Sequence, residues 1–231
     1  MSVQEVYELE ASGRYKPALP IQFGPLFAWP PKPAALARFF FGFPGFLWPW
    51  FAAFLGLAIL FWTYLTPNMD QAKVLSADWI VLILARNLVL LVAFISAQQA
   101  LMYWHKHQGT AFKYDPNWLA KNDPNFLFGD QFWDNVFWNV VGAVPVWTGY
   151  EVMTLWLSAN HYISTVTFTD HPIYCAALLL SSPVWTIAHF YFIHRFLHWR
   201  PVFRHVHYIH HKNVNIGPWS GLAMHPLEHV I

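Results

Sequence analysis

One cysteine in 231 residues, Cys175, has nothing to pair with inside the chain. That excludes an intramolecular disulfide framework and a thiolate metal cluster. Charge is scarce too: 11% of residues are Asp, Glu, Lys or Arg, against roughly 25% in an ordinary soluble domain. The formal net charge is only +1, so no field of one sign points to nucleic acid or another polyanion as a partner. A secretory leader is missing from the start. MSVQEVYELEASGRYKPALP is polar and mixed in charge, where a leader has a basic stretch and then a short apolar core. No internal repeat or low-complexity linker interrupts the rest.

What the chain has in abundance is apolar surface: 56% apolar and 19% aromatic residues, with a mean hydropathy of +0.31. Crossing a bilayer by helix takes about 20 mainly apolar residues, and four stretches qualify. Phe46 to Leu65 carries no charge, and Trp79 to Tyr103 carries one, Arg86. Phe132 to Leu157 is the most polar, with Asp134, Asn135, Asn139, Pro145 and Glu151. Ile173 to Ile193 runs directly into a histidine-rich segment. The preceding PPKPAALARFFFGFPG, aromatic and punctuated by proline, suits the membrane interface. The expected fold is therefore an all-α integral membrane protein with about four transmembrane helices and a cytoplasmic histidine-rich helical cap. Residues 1–45 form a cytoplasmic and interfacial segment, 46–193 the four-span domain and 194–231 the histidine region.

Orientation follows from where the lysines and arginines lie. Arg14, Lys16, Lys32 and Arg38 precede the first span, Lys106, Lys113 and Lys121 join the second to the third, and Arg195, Arg200, Arg204 and Lys212 follow the fourth. The other two loops hold only Lys73. The N-terminus, the second loop and the histidine tail are thus expected on the cytoplasmic side. Arg86 and Glu151 both lie roughly 10 Å inside the outer ends of their spans, at 1.5 Å per residue. Isolated charges are costly in lipid, so the two are expected to pair.

Nine of the thirteen histidines fall between His189 and the end, and their spacing matters more than their number. Residues three and four apart share one helix face. His194 and His198 are such a pair at the end of the fourth span. Pro201 then interrupts the helix. Beyond it His207, His210 and His211 again share a face. Two faces presenting two and three imidazoles can converge on metal, for which neutral imidazole is the commonest protein ligand. His189 reads as a satisfied core group and His205 as a supporting or exposed one. His105, His107, His161 and His171 read as interfacial. In WSGLAMHPLEHVI, His225, Pro226 and Glu228 make a recognisable helix start, and His225 and His229 are further ligand candidates.

HRFLH, then RHVHYIHH, then NVNIGPWSGLAMHPLEH resembles the fatty acid hydroxylase/sterol desaturase superfamily of membrane enzymes, and WSGLAMHP is closest to its bacterial-type sterol desaturase branch. The resemblance covers roughly the last forty residues. It implies two iron ions (zinc as an alternative in isolated material) held on the cytoplasmic side. His194 and His198 match the first histidine box, His207, His210 and His211 the second, and His225 the histidine of the HP segment. It also implies dioxygen as co-substrate, a sterol or fatty acyl lipid as substrate, and an external electron donor, a b-type cytochrome or a ferredoxin with its reductase. The reaction expected is hydroxylation or desaturation in the cytoplasmic membrane of a bacterium or the endoplasmic reticulum of a eukaryote. The family pattern continues to a third histidine box. The chain stops at Ile231, so it reads as C-terminally incomplete and, by itself, as weakly metallated and inactive. The competing readings are a non-catalytic metal-binding membrane protein and a bis-histidine haem anchor for electron transfer.

Overall fold

The apolar runs become helices, and the breaks between them fall at proline, glycine and capping residues. A computed structural model describes residues 7–9, 11, 15–17, 24–110 and 113–231. Most of the polar N-terminal stretch, with Arg14 of the orientation argument, lies outside these residues. The chain divides into two compact units, one of residues 1–66 with 113–116 and one of 67–112 with 117–231.

The first unit holds the only paired strands among the described residues, β1 (Tyr7–Leu9) and β2 (Tyr15–Pro17), antiparallel with Glu8 opposite Lys16. Helix α1 (Pro33–Phe41) starts on a proline and stops at Gly42. Helix α2 (Trp50–Tyr64) has 15 residues, fewer than the Phe46–Leu65 stretch suggests. Pro49 has no N–H to donate and restricts Trp48, so residues 46–48 turn before the helix begins. At 1.5 Å per residue α2 spans about 22 Å, short of the roughly 30 Å hydrocarbon core.

The second unit carries the long helices. Asn68 and Gln71 form a capping box that starts α3 (Met69–Ala72). Helix α4 (Ala77–Gln99) runs on through a π turn to Trp104. Asp130 caps α5 (Gln131–Phe137), which continues through a second π segment, Trp138–Ala143, into α6 (Val144–Ala159). Ala77–Trp104 and Gln131–Ala159, with 28 and 29 residues, are long and apolar enough to cross a membrane. Helix α7 (Pro172–Leu197) bends by 41° between Leu179 and Val184. Many of its described apolar side chains are exposed, Trp185, Ile187 and Phe192 among them, which in a soluble protein would be a strong aggregation liability.

Two apolar clusters hold α4 against α5 and α6. Near the α4 start, Ala72, Trp79 and Ile83 meet Leu155 and Ala159. Near its far end, Leu91 meets Val144 and Trp219, with Phe132 and Val136 packed around them. Between the clusters lies a polar band. Arg86 pairs with Glu151 as expected, and Asn87 donates to Glu151 Oε2 (3.1 Å) and Thr148 Oγ1 (3.2 Å). In lipid such hydrogen bonds and close packing do the work that the hydrophobic effect does in water.

The histidine tail is fastened to the α5 end. Asp134, Asn135 and Asn139 are fully buried. Asp134 accepts from Lys212 Nζ at 2.7 Å, Asn135 donates to Ser220 Oγ at 2.9 Å and Asn139 donates to the Trp219 carbonyl at 2.8 Å. Gln131 donates to Asn213 Oδ1 and the Asn215 carbonyl. A Cβ at Gly142 would sit 3.3 Å from the Met224 carbonyl oxygen, so glycine there lets the tail approach closely. The polar residues that looked out of place in the third apolar run are the tail's docking groups.

Candidate metal centre

Helix α7 ends at Leu197 with His198 as its C-cap residue, and Trp199 is extended. Pro201 sits in the first turn of α8 (Arg200–Val202), where its missing N–H costs nothing. A π turn, Phe203–His207, then leads into α9 (Tyr208–His211). This reversal lays the second histidine segment against the end of the first.

Four imidazoles meet there. One ring nitrogen from each of His194, His198, His207 and His211 lies within 4.8 Å of the other three. The Nε2 atoms of His194 and His198 are 3.1 Å apart, and those of His207 and His211 are 2.9 Å apart. Ring centroids across the two helices fall between 4.8 and 6.1 Å. Ligands at the usual metal–nitrogen distance of about 2.1 Å sit roughly 3.0–3.4 Å from their neighbours; each pair has that spacing, and the four together lie close enough to hold a metal ion. Two lone pairs 3 Å apart repel unless a proton or a cation lies between them, and nitrogen-only donors suit iron, zinc or copper.

One of the four is held from behind. His207 is 1% exposed, and its Nδ1–H donates to Glu228 Oε2 at 2.6 Å. That bond fixes the tautomer with Nε2 free to face an ion, the usual supporting arrangement for a metal-ligating histidine. Burial, then the charges of His194, His198 and His210, push the His207 pKa down to about 4. Burial and the surrounding histidines likewise push His211 to about 4. Burial raises Glu228.

His210 and His225 are not in this group. The His210 ring stacks on that of His207 with centroids 5.7 Å apart, and its Nδ1 is buried without a hydrogen-bond partner. His225 caps α10 (Pro226–Val230), accepting from the Leu227 N–H at 3.2 Å, and its ring lies beside Trp138. His229 Nε2 is also buried and unpartnered. Among the described residues no second group of three ligands forms. His205 is exposed, as are His105, His107, His161 and His171. His189 is exposed as well, not in a core: among the described residues nothing covers that face of α7, so an off-face position leads outward.

Glu228 is the functional residue that sequence reasoning passed over. Its place three residues after His225 reads as helix-start chemistry, and only the return of α10 toward α9 gives it a second partner. Glu228→Ala should weaken metal binding by about 10- to 100-fold, the usual effect of losing such a partner, and Glu228→Gln by less. A chelator-competition titration measures this; unchanged affinity in Glu228→Ala would deny the carboxylate that role.

Comparison of the chain with protein-family models, curated proteins and solved structures gives no match.

Proposed function

We propose that the chain is a membrane metalloenzyme that hydroxylates or desaturates a lipid with dioxygen and externally supplied electrons. The observation that carries this reading is the convergence of four imidazoles from two helices at the foot of an apolar, outward-facing helix. On this reading α4, α5–α6 and the bent α7 cross the bilayer, α2 is too short to cross it as a helix alone, and the histidines lie on the cytoplasmic side. The resemblance of HRFLH and RHVHYIHH to the hydroxylase/desaturase boxes supplies the reaction class.

The donor set fits one iron ion, held by His194, His198, His207 and His211. Bound there, redox-active metal supplies the oxidising power toward an unactivated C–H bond that no side chain possesses. The described residues offer no comparable set for a second ion, so no step is assigned to one. The chain's own residues do the rest. Glu228 orients His207, and Lys212 with Asp134 pins the segment that carries His211. The exposed flank of α7, with Phe190, Phe192 and Phe196, gives an acyl chain or sterol an apolar approach from the bilayer.

Expression of the full-length gene that encodes the chain, under aerobic conditions and followed by lipid mass spectrometry, tests the reaction. A lipid gaining one oxygen or losing two hydrogens is expected, and is absent with the His194→Ala/His207→Ala chain. Lipids identical in both cultures would refute it. A second reading is a non-catalytic metal-binding protein, which four ligands around one ion also suit, because structural sites are closed by four protein ligands. Metal bound stoichiometrically with unchanged lipids would select it.

A further inference from the structure

The end of α4 and the start of α5 border a half-open cavity of about 680 Å³ whose lining contains none of the histidines. That volume is within the usual range for a small-molecule site. Its walls are aromatic: Tyr103 and Trp118 meet edge to face at 5.6 Å, and Trp104 stands beside them. Two ammonium groups border it. Lys106 Nζ sits 4.6 Å over the Trp118 ring, and Lys121 lines the cavity as well. Asp130, the carboxylate in the lining, is engaged as the cap of α5, accepting from the Phe132 and Trp133 N–H groups.

Gln99 also lines the wall, at 2% exposure. Place matters as well. The cavity lies at the matching ends of the two helices able to cross a membrane, and tryptophans gather where such helices meet the headgroups.

We propose that this cavity binds the headgroup of an anionic phosphoglyceride, its phosphate drawn by Lys106 and Lys121. Ammonium groups at a membrane surface recognise phosphate as point charges, and the aromatic wall admits the glyceride end. The site needs only the two helices, and it is independent of the oxidation proposed above.

The test uses the full chain in neutral detergent and native mass spectrometry. Dioleoyl phosphatidylglycerol should bind about 30-fold more tightly than dioleoyl phosphatidylcholine, each lysine contributing roughly fivefold. Lys106→Gln/Lys121→Gln should remove that preference. Thermal unfolding without added lipid checks that the double variant folds, as expected for two exposed lysines. Equal binding of the two lipids, or a preference surviving the double lysine change, would overturn the proposal. So would displacement by sn-glycerol 3-phosphate at lipid-like concentrations, which would make the ligand a soluble phosphate.

Discussion

Purified chain carrying His194→Ala and His207→Ala should hold almost no metal, while the unaltered chain holds about one ion. The argument is geometric. His194 belongs to α7 and His207 to the turn before α9, and each shares its closest Nε2 contact with a partner four residues on. Removing one from each pair leaves His198 and His211, which come from different helices and have no third ligand. Zinc sites of four protein ligands bind with about 10–16 kcal/mol, so one imidazole is worth roughly 3 kcal/mol and the pair about four orders of magnitude in affinity. Elemental analysis after dialysis against a weak chelator measures it, with His205→Ala as an exposed control that keeps its metal. A double variant as metallated as the unaltered chain would place the ion elsewhere.

Acid should empty the same site. A proton competes with metal for each imidazole. His207 and His211 titrate at about 4 instead of 6.5, so at neutral pH both are ready as ligands. As pH falls from 6.5 toward 4, the unfolded chain takes up protons that the folded one refuses, and the fold itself loses stability over that window. Metal retention and thermal stability should decline together there.

Much of this centre is legible in the sequence because it rests on short-range geometry. Residues four apart share a helix face whatever the fold, so both pairs of the metal group could be read directly. What HxxHH could not reveal is which of its histidines converge. His210 differs from His211 by one position, and α7 approaches from the His211 side only because of the reversal at Trp199 and the π turn after it. Glu228 was hidden for a similar reason: its contact to His207 spans 21 residues. Asp134, Asn135 and Asn139 announced a polar demand in an apolar run, yet their partners lie 78 to 85 residues away. The start of α2 was misplaced because hydropathy counts Phe46, Leu47 and Trp48 as span, whereas Pro49 decides where the helix can begin.

Arg86 and Glu151 were also paired correctly from depth alone, and their separation should have the largest effect on stability. The Arg86 side chain is 7% exposed and that of Glu151 25%, so removing one partner leaves a charge with little water. Such a break costs about 3–5 kcal/mol where burial is complete; the partial exposure of Glu151 puts Arg86→Met near 3 kcal/mol, and Glu151→Met, which strands the more deeply buried arginine, near the upper figure. Asn87 softens the first case, because it continues to donate to Glu151. Replacing both partners by methionine should restore most of the loss, since a buried pair is worth little against well-packed apolar groups. The double-mutant cycle, read by denaturant unfolding in detergent, should therefore be strongly non-additive, the double variant losing less than either single variant. Metal content provides the independent readout: neither residue belongs to the metal group, so all three variants should keep their ion while folded. Additive losses in the cycle would mean that the two charges stand alone, and metal lost from the folded double variant would tie this band to the centre.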